Sequence, residues 1–258
     1  MFFARTASFL RKSALAALAT ALLLGSAAGC VSSGGLQNLN ATGLHSRAQT
    51  AFDREDYGAA TEALGRLFAV FPEYPQAPEA RFLFARAYQE NGQYLLASDE
   101  YSRFLDRYPL HLLAPEAALG ICRSYVELSP IPPRDQNYTR QAHGVCRDVA
   151  REYFAHSVAA DAQILANQMR GRLAEKEYEA GQHYFRRNAF FSAIQYWDML
   201  VEEFWDTEWA PRALLGISRA FERVGYKDDA EEYRLRLLNS YPDSESAREL
   251  LAGGNTGG

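Results

Sequence analysis

Ala77-Pro78-Glu79-Ala80-Arg81-Phe82-Leu83-Phe84-Ala85-Arg86-Ala87-Tyr88 is the stretch that decides how this chain folds, because it is written three times. It returns as Ala114-Pro115-Glu116-Ala117-Ala118-Leu119-Gly120-Ile121-Cys122-Arg123-Ser124-Tyr125, and again as Ala210-Pro211-Arg212-Ala213-Leu214-Leu215-Gly216-Ile217-Ser218-Arg219-Ala220-Phe221. Self-similarity of this kind marks one supersecondary unit stacked on copies of itself. Such a stack presents a long surface rather than a closed catalytic cleft.

Working outward from the first copy, Ala80, Leu83, Phe84, Ala87 and Tyr88 fall on one face at helical spacing. Pro78 sits near the helix start, where its missing N–H costs nothing. Asn91-Gly92 stops the helix, since both residues tolerate a left-handed cap. A second helix carries Tyr94, Leu95, Ala97, Tyr101, Phe104 and Leu105, and Tyr108-Pro109 ends it. Helix, short Gly turn, helix, Pro is the arrangement of a tetratricopeptide repeat (TPR). Ala85 and Ala97 let the two helices approach, and Tyr88, Tyr101 and Phe104 fill the space between repeats.

Shifting back by 37 residues gives a first repeat (Ala48, Ala51, Tyr57, Ala60, Leu64, Leu67, Pro72) whose turn, Asp53 to Tyr57, has no Gly. In the third repeat the second helix (Ala142, Cys146, Val149) arrives 45 residues later, so the eight residues Ser129 to Gln136 read as an insertion. Tyr184, Ala193, Trp197 and Leu200 mark a fourth repeat, and Phe221, Gly225, Ala230 and Leu237 a fifth. The spacing therefore predicts an all-α superhelical solenoid of five TPR-like helix pairs, about ten helices, over residues 44–251. The repeats are placed at about 44–72, 77–109, 113–154, 158–205 and 209–242.

The ends read differently. Arg5, Arg11 and Lys12 form a positive n-region, and Ala14 to Leu24 is an uncharged apolar run. That run is shorter than the roughly 20 residues a membrane span needs. Ser26-Ala27-Ala28-Gly29-Cys30 resembles a lipoprotein cleavage box, so residues 1–29 read as a signal peptide and Cys30 as the acylated first residue of the mature chain. Ser26-Ala27-Ala28 also fits an ordinary secretory site, and simple secretion is the alternative. Val31 stands where an inner-membrane retention signal places Asp, so the resemblance points to the outer membrane. Residues 30–43 read as the acylated Cys and a flexible tether, and 252–258 as a disordered tail.

Without the leader the chain keeps 24 Lys and Arg against 32 Asp and Glu. That acidic balance argues against nucleic acid as a partner, whose phosphates demand basic patches. Hydrophobic residues make up 48% of the sequence, enough for a continuous core.

Little in the sequence suggests catalysis. It contains no Gly-rich phosphate loop, Gly-x-Ser-x-Gly elbow or His-Glu-x-x-His helix. His143 lies three residues before Cys146, but the pattern supplies no full ligand set, so no metal and no cofactor are expected. Cys122 and Cys146 fall on facing helices of the third repeat. Packed helix axes lie about 8–10 Å apart, whereas a disulfide needs Cα atoms within about 7 Å. Two buried free thiols are therefore expected, with a disulfide as the alternative. The inner groove is the stronger candidate. Arg86, Arg123 and Arg219 occupy one slot in three copies, and Phe82, Leu119 and Leu215 lie one turn earlier. A basic residue over an apolar shelf suits an extended peptide with aromatic side chains and a terminal carboxylate. The bland alternative pairs Arg86 with Glu90 and Arg123 with Glu127 along each helix.

Taken together, the Cys30 box, the short tether and the five pairs resemble the BamD family, the lipoprotein component of the outer-membrane β-barrel assembly machinery. Two stretches carry the resemblance. Arg134-Asp135-Gln136, followed by Thr139 and Ala142, looks like the family's third-repeat insertion, and Asp135 can also simply cap a helix. Arg172 to Tyr178, Tyr184, Ala193, Ile194 and Asp206-Thr207 are similar to its long helix and C-terminal repeats. The resemblance implies a scaffold that is not an enzyme, lipid-anchored at the outer membrane and facing the periplasm. It implies binding to the POTRA portion of BamA, to other Bam lipoproteins and to unfolded β-barrel proteins. On this sequence the BamA-facing surface would include Arg186, Arg187 and Tyr196. The runner-up resembles the periplasmic TPR coordinator of envelope constriction linked to Tol–Pal, whose N-terminal coiled coil finds no heptad here. A periplasmic hydrolase on a helical scaffold is a distant third.

Overall fold

The computed structural model describes residues 35–254. Among the described residues there are eleven α-helices and no strand. They are α1 (Ala41–Asp53), α2 (Tyr57–Val70), α3 (Ala77–Glu90), α4 (Tyr94–Arg107), α5 (Ala114–Leu128), α6 (Asn137–Glu152), α7 (Val158–Arg186), α8 (Phe190–Glu203), α9 (Trp209–Val224), α10 (Lys227–Ser240) and α11 (Glu245–Gly254). Consecutive helices pack as antiparallel pairs. Each first helix also touches the first helix of the next pair, while the second helices of successive pairs do not touch. The first helices α1, α3, α5, α7 and α9 therefore form one continuous inner row, and the stack is a TPR-like solenoid.

The turns within pairs share a device. Glu55, Gly92, Asn188 and Gly225 all take left-handed backbone, with φ of 61°, 71°, 60° and 96°. Glycine adopts this region freely; Glu55 takes it at a cost of about 1 kcal/mol. The third pair lacks the device because the insertion replaces its turn.

Packing between pairs rests on aromatic rings lying on glycines. A Cβ added at Gly120 of α5 would meet the Tyr101 ring of α4 at 2.4 Å. Cβ atoms at Gly181 of α7 and Gly216 of α9 would meet Trp197 of α8 at 2.3 and 2.9 Å. Trp197 is fully buried between them, and its indole Nε1 donates to the Tyr178 carbonyl at 3.1 Å. Helix α7 has 29 residues, about 43 Å of helix. Part of it packs on α5 and α6 and part on α8 and α9, so it joins the first three pairs to the last two.

Three expectations need correction. The tether does not extend to residue 43 as free chain. Leu36 and Leu39 pack against the N-terminal core, and the Asn40 side chain caps α1 by accepting from the Gly43 N–H at 2.8 Å. At the other end α11 runs into the residues read as tail. It was invisible as an element because it carries no copy of the Ala-Pro signal. Ser244 caps it by accepting from the Ala247 N–H at 3.1 Å, and Ala247 is buried against the last pair. Third, Cys122 and Cys146 form a disulfide with Cα atoms 4.9 Å apart. Axis separation was the wrong measure. Each Cα stands about 2.3 Å off its own axis, so two residues facing each other are far closer than their helices. Cys30 lies outside the described residues.

Candidate functional site

The inner row sets the geometry of the arginine slot. Arg86 on α3 is exposed, and its guanidinium lies 4.7 Å from the centre of the Phe52 ring on α1. Arg123 on α5 reaches forward to Asp161 on α7 at 3.1 Å. Arg219 on α9 reaches forward to Glu249 on α11 at 2.6 Å. Each arginine thus bridges neighbouring first helices rather than pairing along its own helix. Among the described residues Arg86 has no carboxylate within salt-bridge distance. Its cation lies over an aromatic face, an arrangement that holds a guanidinium in place while leaving its N–H groups open to an incoming acceptor.

The expected apolar shelf is not open. Phe82 turns back into its own pair, with its ring 5.8 Å from Tyr101 and 5.9 Å from Phe104. Leu119 is buried in the third-pair core with Cys122 and Val149. Helical spacing places both on the face of the arginine slot, but the neighbouring second helices cover them. Phe52, from the preceding repeat, supplies the aromatic surface instead.

A second cluster lies at the turn between α7 and α8. Arg186 and Arg187 are exposed there, and Tyr196 stacks on Tyr184 with ring centres 5.2 Å apart. Arg186 also lines a cleft of about 660 Å³ with Lys176, Tyr178 and Trp209. Sequence reading missed two exposed aromatics on the same edge. Phe191 and Tyr226 lie edge to face at 6.0 Å, beside the turns of the fourth and fifth pairs. Arginine and aromatic side chains exposed together are the composition of protein-binding hot spots.

The Arg134-Asp135-Gln136 insertion is a built loop. Asp135 Oδ1 accepts from the Asn137 N–H at 2.9 Å, one position outside the usual cap pairing. Gln136 is fully buried. Its side-chain nitrogen donates to the carbonyls of Ile131, Pro132 and Arg134 at 2.9, 3.2 and 3.1 Å, and its oxygen accepts from Thr139 Oγ1 at 2.6 Å. Arg172 on α7 ties down the loop's start by donating to the Ser129 carbonyl at 3.0 Å. Arg134 and Asp135 are exposed, so of the three residues only Gln136 is turned inward. No group of His, Cys, Asp and Glu that could hold a metal occurs among the described residues. Near the bridge, His143 has its pKa lowered by burial and by the charges of Arg147 and Arg170.

The chain matches the family model described as YfiO, outer membrane lipoprotein, over residues 37–237. That span runs from the residues before α1 into α10. The chain belongs to this family. Among curated proteins it is 27% identical over 196 residues to "Outer membrane protein assembly factor BamD" of Caulobacter vibrioides, covering 75% of this chain and 64% of that protein. It is 24% identical over 202 residues to the protein of the same name from Rickettsia prowazekii, covering 78% and 80%. A similar 25% identity over 210 residues links it to that of Xylella fastidiosa (strain 9a5c), covering 78% and 72%. Membership of the YfiO family extends across nearly all the repeats, so the arginine slot, the α7–α8 turn and the insertion all lie inside the matched span.

Proposed function

We propose that this chain is a lipid-anchored scaffold of outer-membrane β-barrel assembly that grips polypeptides and makes or breaks no bonds. Family membership over residues 37–237 carries the reading, with relatives named as assembly factors. Acylation of Cys30 would hold the solenoid at the inner leaflet of the outer membrane, facing the periplasm. The turn cluster of Arg186, Arg187 and Tyr196 would receive the POTRA portion of BamA. Unfolded barrel proteins would dock in the N-terminal groove, where Arg86 over Phe52 offers a guanidinium to a terminal carboxylate and Arg123 can exchange Asp161 for one. Other Bam lipoproteins are expected on the same assembly.

Depletion in cells tests the role. Under this reading barrel proteins fall in the outer membrane; unchanged barrel proteins with disturbed division would favour the Tol–Pal reading instead. The groove is tested by Arg86→Glu with Arg123→Glu and a peptide ending in an aromatic residue. Loss of two charge-assisted contacts should weaken binding about tenfold or more. Unchanged binding with retained helicity would remove the groove from the proposal.

A further inference from the structure

The three most exposed large apolar side chains among the described residues are Leu110 at 99%, Phe154 at 81% and Leu112 at 78%. All three lie in loops that connect one pair to the next: Leu110 and Leu112 between α4 and α5, and Phe154 between α6 and α7. In a stack of antiparallel pairs, every connection between pairs falls on one edge and every turn within a pair on the other. Contacts along the edge fit this placement. Arg107, in the last turn of α4, lies 3.8 Å from Glu73 in the loop between α2 and α3, and Tyr74 of that loop meets His45 near the start of α1 at 3.1 Å.

The start of the described chain lies on the same edge. The carbonyl of Gln37 accepts from Arg66, in the last turns of α2, at 3.4 Å. Gly35 follows Cys30 by five residues, a span of at most about 17 Å of extended chain. An acyl chain on Cys30 would therefore hold this edge, and not the opposite one, within reach of the leaflet.

We infer that the connecting-loop edge of the first three pairs rests on the lipid surface, with Leu110, Leu112 and Phe154 entering the headgroup region. The inference rests on the proposed acylation of Cys30. Large apolar side chains gathered on one edge suit contact with a protein or a membrane, and the position of the anchor favours the membrane. Arg107 and Arg151, in the last turns of α4 and α6, can place their stems beside the apolar side chains and their charges among phosphates. Glu73, Asp148 and Glu152 share the edge and keep the contact shallow. Such a contact would also fix which way the inner groove faces.

The full chain, reconstituted in vesicles of phosphatidylethanolamine and phosphatidylglycerol, tests this with an environment-sensitive fluorophore on Leu112→Cys, Phe154→Cys or Ile131→Cys. Ile131 is also apolar and exposed but lies in the turn within the third pair, on the opposite edge. Headgroup-level nitroxide lipids should quench the labels at 112 and 154 several-fold more than the label at 131. The intact mass, read in parallel, reports acylation of Cys30. An acylated chain with equal or no quenching at the three positions would overturn the inference and leave the anchor standing. A chain without the acyl group would remove the anchor. The same labels with added vesicles then decide, since preferential quenching at 112 and 154 still supports the edge and equal quenching overturns it.

Discussion

Trp197 in α8 and Cys146 in α6 occupy the same slot of two neighbouring repeats, four residues after a buried alanine (Ala193 and Ala142). The fourth pair fills that slot with an indole pressed between Gly181 and Gly216. The second pair does the same with Tyr101 against Gly120. The third pair has only a sulfur there, and it turns inward to bond Cys122 on the partner helix. One slot therefore either cements a pair to its neighbours or locks a pair to itself. The self-locked pair is also the one that lost the left-handed turn and gained the insertion. A covalent link across the pair replaces the short connection that elsewhere holds the helix ends together.

The largest effect should come from breaking the packing lock. Trp197→Ala leaves a cavity between three helices and should cost about 4 kcal/mol in denaturant unfolding. Gly216→Ala should also destabilise, because its Cβ has no room beside the indole. Breaking the covalent lock comes next. Reduction, or Cys122→Ala with Cys146→Ala, opens a loop with a sequence separation of 24 and should lower stability by about 3 kcal/mol. Reductant should leave the stability of that double variant unchanged. Gln136→Ala removes the amide that collects three carbonyls of the insertion and should cost about 2 kcal/mol. Combined with reduction its cost should exceed the sum of the two, since both constrain the same loop.

The smallest effect is a pH dependence confined to the third pair. Burial, followed by Arg147 and Arg170, lowers the folded pKa of His143, while Asp206 and Asp148 pull it back. The unfolded chain, with an ordinary value near 6.5, binds the proton first. Stability should then be full above that value and fall as pH drops from about 6.5 through the folded pKa. His143→Gln should flatten that slope in urea midpoints taken across the window.

The repeats and the all-helical solenoid were legible because Ala77 to Tyr88 recurs with its proline, small residues and aromatics in place. Features that depend on which neighbour covers a face were not. Phe82 and Leu119 have the spacing of an exposed shelf, yet Phe82 packs half-buried against α4 and Leu119 is buried against α6, and the aromatic under Arg86 comes from a different repeat. Nothing in the spacing of Arg123 or Arg219 points to carboxylates 38 and 30 residues away. Helix α11 lacks the repeat's signal and is held by a serine cap, by Ala247 and Leu250 against the last pair, and by the Arg219–Glu249 ion pair. The disulfide depended on how two helix surfaces meet, which periodicity alone does not report.

The scaffold reading is tested most directly by affinity purification of the full chain from detergent-solubilised outer membranes. A POTRA-containing barrel protein should co-purify, should be lost with Arg186→Ala, Arg187→Ala and Tyr196→Ala together, and should be retained with Arg86→Glu and Arg123→Glu. Purification without any POTRA-containing protein, from membranes that contain one, would contradict the account.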